Sequence, residues 1–198
     1  MNLEGYRILF IAGTLVLMLI IAFPTLSLGV MFPSGAAKFS EFWLLGPNHM
    51  LGDYPFTVKT NETYQTFVGV GNHMGQDSYY KILVKFRSSN QPLPNDSEPS
   101  PLPPLYECQF FVANEGTWES NLNFSVSGVS FTGSESLVRD VTINEAAFPV
   151  NSSSPWSPDQ GGSFYQMFVE LWLYNMTSKS FQYHNRYVEI WLNLAGTS

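Results

Sequence analysis

Beyond residue 38 the chain alternates apolar and polar side chains at a period of two, and no stretch there sustains the 3.6-residue period of an amphipathic helix. The runs are "YQTFVGV" (64–70), "YYKILVKF" (79–86), "YECQFFVA" (106–113), "LNFSVSGVSF" (122–131), "SLVRDVTI" (136–143), "YQMFVELWLY" (165–174) and "YVEIWLNL" (187–194), with a shorter one at 56–60. β-Branched and aromatic residues dominate them, which suits a pleated, half-buried surface. Clusters of Gly, Asn and Ser separate them at hairpin lengths: "GNHMGQDS", "NEGTWES", "TGSES" and "NMTSKS". Many short strands with hairpin turns and no helix predict an all-β domain, an immunoglobulin-like antiparallel β-sandwich over residues 38–198.

Two segments interrupt the alternation. "SSNQPLPNDSEPSPLPPL" (88–105) holds six prolines, which donate no ladder hydrogen bond and favour extended geometry, so it is expected to be a surface loop or crossover between strands. "FPVNSSSPWSPDQGGS" (148–163) reads as a second loop ahead of the last hairpin. Trp156 within it is expected to fold back onto the core rather than stand exposed.

Ahead of the alternating region lies a different pattern. Residues 8–31, "ILFIAGTLVLMLIIAFPTLSLGVM", are predominantly apolar, and no ionisable side chain falls between Arg7 and Lys38. A bilayer core takes ~20 apolar residues to cross. The expected organisation is a short cytoplasmic N-terminus (1–7), a transmembrane signal anchor (8–32) kinked at Pro24, a linker (33–37) and an extracellular domain. Arg7 on the near side sets that orientation. A cleaved signal peptide is the alternative, since "FPSGAAKF" offers small residues at a cleavage position, although signal peptides carry shorter apolar stretches of ~7 to 15 residues.

Composition narrows the partners. With 16 acidic against 9 basic residues the formal charge is -7, and no Lys/Arg cluster is available for phosphates, so a nucleic-acid partner is not expected. Cys108 is the single cysteine, which excludes an internal disulfide and every metal site built on cysteine pairs. Five Asn-X-Ser/Thr triplets, at Asn61, Asn95, Asn123, Asn151 and Asn175, are glycosylation candidates consistent with an ectodomain.

Four stretches carry a family resemblance: "FSEFWLLGPNHMLGDYPFTV", "VGVGNHMGQDSYYKILVKF", "FVELWLY" and "NRYVEIWLNL". Together they resemble the ectodomain of an archaeal membrane-protein family of unknown function, DUF1616. The matching positions are Phe39, Glu41, Phe42, Leu45, Gly46, Tyr54, Pro55, Gly69, Val70, Asn72, His73, Gly75, Tyr80, Leu171, Trp172, Tyr187 and Trp191. Two departures stand out. Met74 occupies a position where the family pattern carries Glu, and one apolar span precedes the domain where family members commonly have several. The resemblance implies a membrane placement and a fold, and brings no activity or cofactor.

The chemistry available is sparse. No Gly-x-Ser-x-Gly elbow, His-Glu-x-x-His or phosphate-binding glycine loop is present. Any serine nucleophile has only His49, His73 or His184 for a base. Carboxylate pairs such as Glu115 with Glu119, or Asp53 with Glu41, are what an acidic surface supplies by chance. The triplet Asn-His-Met occurs twice, at residues 48–50 and 72–74, so that His49, Met50, His73 and Met74 form a candidate copper site of imidazole and thioether ligands. The competing reading makes both triplets turns, with His73 and Met74 at an exposed hairpin tip and His184 alike in the last hairpin. A blue-copper centre is not expected, because "QFFVANEG" after Cys108 lacks the nearby His and Met.

The expected function is therefore non-enzymatic and free of cofactors. The chain reads as a single-pass membrane protein whose extracellular β-sandwich makes protein contacts, as an accessory subunit of a membrane complex or as an envelope component. Tryptophan at positions 43, 118, 156, 172 and 191 favours that reading, because tryptophan is enriched at interfaces. A copper-handling or carbohydrate-binding module is the alternative.

Overall fold

A computed structural model describes residues 6–7, 10–18 and 37–195. Residues 6–7 and 10–18 are helical. Among the described residues no helix is long and apolar enough to cross a membrane. Most of the expected span, residues 8–9 and 19–32, lies outside the described residues, as does most of the linker.

The unit from Phe39 onward is all-β. Its strands are β1 (Phe39–Leu45), β2 (Thr57–Val58), β3 (Tyr64–His73), β4 (Ser78–Ser88), β5 (Tyr106–Val112), β6 (Thr117–Ser127), β7 (Ser130–Thr132), β8 (Glu135–Ile143), β9 (Ala146–Ser157), β10 (Gly162–Asn175) and β11 (Ser180–Leu194). In the first half of the sheet β1, β3, β6, β8 and β9 are neighbours in that order. In the second half β5, β4, β10 and β11 follow one another, and β2 joins β11 in parallel. β9 links the halves, pairing with β8 along most of its length and with β10 at Trp156 and Ser157.

The halves fold onto one core. Period-two alternation, shifted by one residue at the irregularity between Val138 and Asp140, puts Val68, Val70, Leu122, Phe124, Val126, Val138, Val141 and Ile143 on the inner face of the first half. Ile82, Val84, Met167, Val169, Leu171, Ile190, Leu192 and Leu194 meet them from the second. A buried apolar side chain of this size contributes ~1.5 to 3 kcal/mol relative to exposure. Contacts across the core tie the halves together: Tyr165 Oη donates to the Ser136 carbonyl at 2.8 Å, and the Phe110 and Trp118 rings stack with centroids 3.5 Å apart.

Two expectations change, and one strand is added that the alternation did not mark. The run expected at 122–131 breaks into β6 and β7 at Gly128, whose φ of 61° leaves extended geometry. Phe39–Leu45 forms the edge strand β1. Of the loop expected at 148–163, residues 148–157 belong to strand β9 and residues 162–163 open β10. Pro149 and Pro155 lie where β9 pairs with β8 alone, and an edge tolerates a residue that donates no hydrogen bond. The segment between β4 and β5 has no regular structure, as its prolines predict.

Candidate functional site

The two Asn-His-Met triplets end up at opposite ends of one strand. His73 closes β3, while His49 stacks on Phe67, ring centroids 3.7 Å apart, six positions earlier in β3. At ~3.3 Å per residue that separates them by about 20 Å, so no single ion is shared. Met50 is 62% exposed. The four candidate ligands are not brought together. Each of these two histidines is instead held by acidic side chains, from Glu41 on β1, Glu119 on β6 and Glu115 in the turn between β5 and β6. His49 Nδ1 lies 3.1 Å from Glu119 Oε1, and Trp43 Nε1 donates to Glu119 Oε2 at 3.1 Å. His73 Nδ1 lies 2.6 Å from Glu115 Oε2, with Glu41 Oε2 3.8 Å from Nε2 on the other side of the ring. The hydrogen bond to Glu115 raises the His73 pKa above its ordinary value despite partial desolvation. Glycine permits this layout: a Cβ at Gly69 would strike the Trp43 ring, and one at Gly71 would approach Glu41 Oε2 to 2.7 Å.

Asn72, expected in a turn, is buried in β3 and bonded on every side. Its Nδ2 donates to the carbonyls of Gln76 (2.9 Å), Val112 (2.9 Å) and Ala113 (3.2 Å), and its Oδ1 accepts from Met74 N and Tyr80 Oη, both at 3.1 Å. The left-handed non-glycine residue of the first loop is His49 at φ 56°, rather than its neighbouring Asn. His184, expected at an exposed turn, is half-buried in β11 with Nε2 3.0 Å from Ser40 Oγ. Burial lowers its pKa. This is a serine and an imidazole at hydrogen-bond distance, yet Ser40 is 1% exposed and also bonded to Tyr80 Oη at 2.7 Å. An acyl substrate has no path to that oxygen.

An open aromatic groove lies on the outer face of the second half of the sheet. Phe164 on β10 and Trp191 on β11 occupy the phase that faces away from the core. Asn193 N donates to the Phe56 carbonyl at 2.7 Å, and the parallel pairing of β2 with β11 brings Phe56 beside Phe164, centroids 6.1 Å apart. β9 delivers Trp156 opposite Ser163. The result is a groove of about 580 Å³ lined by Phe56, Trp156, Phe164 and Trp191 with Pro155, Pro158, Gln160 and three serines. None of its lining residues is ionisable. Phe56 is 50% and Trp191 41% exposed. Trp156 is therefore part of a surface groove, against the expectation that it folds onto the core. The buried polar atoms without a partner among the described residues, Ser163 Oγ, Gln166 Nε2, Glu189 Oε2 and Asn193 Oδ1, all belong to β10 and β11.

The rest of that outer face is closed by the proline-rich connection. Lys85 Nζ donates to the Ser100 carbonyl at 2.7 Å and to Glu170 Oε1 at 3.0 Å, and Ser100 N donates to the same oxygen at 2.7 Å. Tyr183 Oη donates to the Asn95 carbonyl at 3.1 Å, and burial beside Glu170 pushes its pKa up to about 12. Toward the edge strand β5 an aromatic ladder emerges. Phe111, 73% exposed, stacks on Tyr79 at 4.2 Å, and Lys81 Nζ sits 4.9 Å from the Phe181 ring.

The glycosylation candidates divide by geometry. Asn61 and Asn151 are exposed, at φ 65° and 44°, with no side-chain hydrogen bond among the described residues. Asn95 is exposed but its Oδ1 accepts from Ser97 and Glu98. Asn175 spends both ends of its amide, donating to Gln182 Oε1 at 3.0 Å and accepting from Thr177 N at 2.8 Å. Asn123 is half-buried in β6.

Comparison with known proteins gives a family and a distant structural likeness. The model of the family described as "Domain of unknown function (DUF1616)" matches residues 33–132. That match holds Glu41, Asn72 and His73 and stops short of Trp172 and Trp191. No curated protein matches the chain. Among solved structures, the ASH / PapD-like domain of human CEP192 (PapD-like domain 7) aligns with a TM-score of 0.33 and 10% identity, covering 84% of this chain and 94% of that one.

Proposed function

The chain belongs to the DUF1616 family, and because that membership lends no activity we propose a role from the geometry: a non-enzymatic, single-pass membrane protein whose extracellular, immunoglobulin-like β-sandwich makes protein contacts. It acts as an accessory subunit of a membrane complex or as an envelope component. The observation that carries this reading is the uncharged groove of Phe56, Trp156, Phe164 and Trp191, which leaves large aromatic side chains open to solvent on a chain of net charge -7. Two tryptophans in one concave patch are the kind of anchor around which protein interfaces concentrate their binding energy. The membrane placement rests on the apolar run at residues 8–31.

A carbohydrate-binding role is the second reading. It is favoured by the ladder of Phe111 and Tyr79 beside Gln109 and Glu107, where ring faces and polar groups sit together on an open edge. Purification from membranes in mild detergent separates the two. The contact role predicts fixed-stoichiometry protein partners that are lost from a Trp191→Ala variant, whereas retention of the same partners by that variant, or isolation as a lone monomer, counts against it.

A further inference from the structure

An open sheet leaves edges, and natural sheets keep them from pairing with prolines, charges, bulges or sheer shortness. Most edges of this domain are blunted in one of those ways. β2 and β7 run to two and three residues. β9 carries Pro149 and Pro155 where it pairs with β8 alone, and β11 has Arg186, Glu189 and a register shift against β10 at Leu171 and Trp172. β1 carries Glu41 and meets β11 where Ser40 bonds to His184. The exception is β5 (Tyr106–Val112), which pairs with β4 alone, in one unbroken register, and holds no proline and no lysine. Its one charge, Glu107, is answered by Lys81 Nζ at 3.6 Å and by Gln109 Nε2 at 2.7 Å.

The flank beside that edge is apolar and half open. Tyr106 and Cys108 pack against the core yet stay partly exposed, and so does Trp118, stacked on Phe110. Phe111 on the outer face is 73% exposed. The outer side chains are already fixed, because Tyr79 stacks on Phe111 and donates to Gln109 Oε1 at 2.6 Å. Side chains held before a contact forms lose little rotamer freedom in making it.

The strand is also its own complement. Alternation turns Tyr106, Cys108, Phe110 and Val112 inward and Glu107, Gln109 and Phe111 outward, a pattern symmetric about Gln109. Antiparallel pairing with a second β5, about a two-fold axis through Gln109, therefore keeps both faces in phase. It sets Gln109 opposite Gln109 of the other copy, Cys108 opposite Phe110 and Glu107 opposite Phe111. Two copies each carrying -7 repel elsewhere, but no like charges meet across this edge. Glu115, the next acidic side chain along, is held by His73 at 2.6 Å. At the end of the strand the Val112 carbonyl already accepts from Asn72 at 2.9 Å, so the pairing is centred on residues 107–111.

We infer that β5 pairs antiparallel with β5 of a second copy of this chain, joining two domains through one continuous sheet. Both copies offer the same edge, so the contact closes on itself as a two-fold dimer. It uses a surface separate from the aromatic groove and goes beyond the contact role proposed above.

The test uses the full chain in detergent. Sedimentation against concentration is expected to show a monomer–dimer equilibrium. Gln109→Lys sets two lysines face to face and is expected to weaken the dimer about tenfold, and an equal mixture of Gln109→Lys with Gln109→Glu to restore it. Directly opposed side chains have Cβ atoms ~4.5 to 5.5 Å apart. Gln109→Cys in a Cys108→Ser background is therefore expected to cross-link to its copy on mild oxidation, and Phe111→Cys in the same background is not. A chain that stays monomeric, a dimer indifferent to Gln109→Lys, equal cross-linking at both positions, or a dimer lost in Trp191→Ala overturns the inference. If the dimer is absent while Trp191→Ala still strips a different protein from the membrane preparation, the strand pairing falls and the contact role stands.

Discussion

Lys85 and Glu170 form an ion pair sealed beneath the proline-rich connection, with Nζ 3.0 Å from both carboxylate oxygens and the side chains 3% and 0% exposed. The pair sits on the outer face of β4 and β10, and its remaining valences go to the Ser100 carbonyl, Ser100 N and Trp172 Nε1. A face that would otherwise meet water is thus roofed by a loop without regular structure.

Removing one member of that pair leaves an unbalanced buried charge. Lys85→Met and Glu170→Gln are each expected to destabilise the domain by about 3 to 5 kcal/mol, and the double replacement Lys85→Met/Glu170→Leu by less than either. Denaturant unfolding of the three variants measures this, and a double variant at the sum of the singles contradicts it.

Asn72 separates the effect of a hydrogen-bond network from that of charge. Asn72→Ala deletes five bonds and is expected to cost about 2 to 4 kcal/mol. Asn72→Asp keeps the shape but turns a carboxylate toward the carbonyls of Gln76, Val112 and Ala113, and is expected to cost more than alanine. Equal losses in thermal unfolding would refute the assignment of Nδ2 as the donor to all three.

The His73 imidazole titrates above its ordinary value because Glu115 accepts from it. The bridge contributes stability fully below the unfolded value near 6.5 and loses it as the pH rises through the higher folded value. An NMR titration of the ring is expected to give a midpoint above 6.5 that falls back in Glu115→Gln. A wild-type midpoint at or below 6.5 refutes the bridge.

Expression in a glycosylating host tests the exposure ranking of the sequons. Asn61 and Asn151 are expected to be occupied, and Asn175, whose amide nitrogen is spent on Gln182, is expected to be empty. Site-resolved mass spectrometry decides it, and full occupancy at Asn175 would mean that the last hairpin opens.

Most strands were legible because β8 alternates at period two and β3, β4, β10 and β11 are long runs rich in β-branched and aromatic residues. β9 was not, since "AAFPVNSSSPWS" carries prolines and serines that read as a loop, and its single-sided pairing is decided by β8, far from any local signal. Lys85 and Glu170 gave a partial sign: each is a charge inside an otherwise apolar run, "YYKILVKF" and "FVELWLY". What the sequence could not supply was the loop that buries them. The groove was illegible for the same reason, because Phe56, Trp156 and Trp191 come from three separate segments that meet only through the parallel β2–β11 pairing and the passage of β9 between halves. The two Asn-His-Met triplets invited a shared site. Their separation along β3 follows from the antiparallel register of β1 with β3, which no spacing rule encodes.

The contact role is tested most directly by placing a photo-crosslinking amino acid at position 191 in the full chain, in native membranes, with a control at Lys179 on the exposed turn between β10 and β11. A discrete protein adduct from position 191 and none from position 179 is the predicted result. Equal labelling from both positions, or no adduct from the groove, would contradict it.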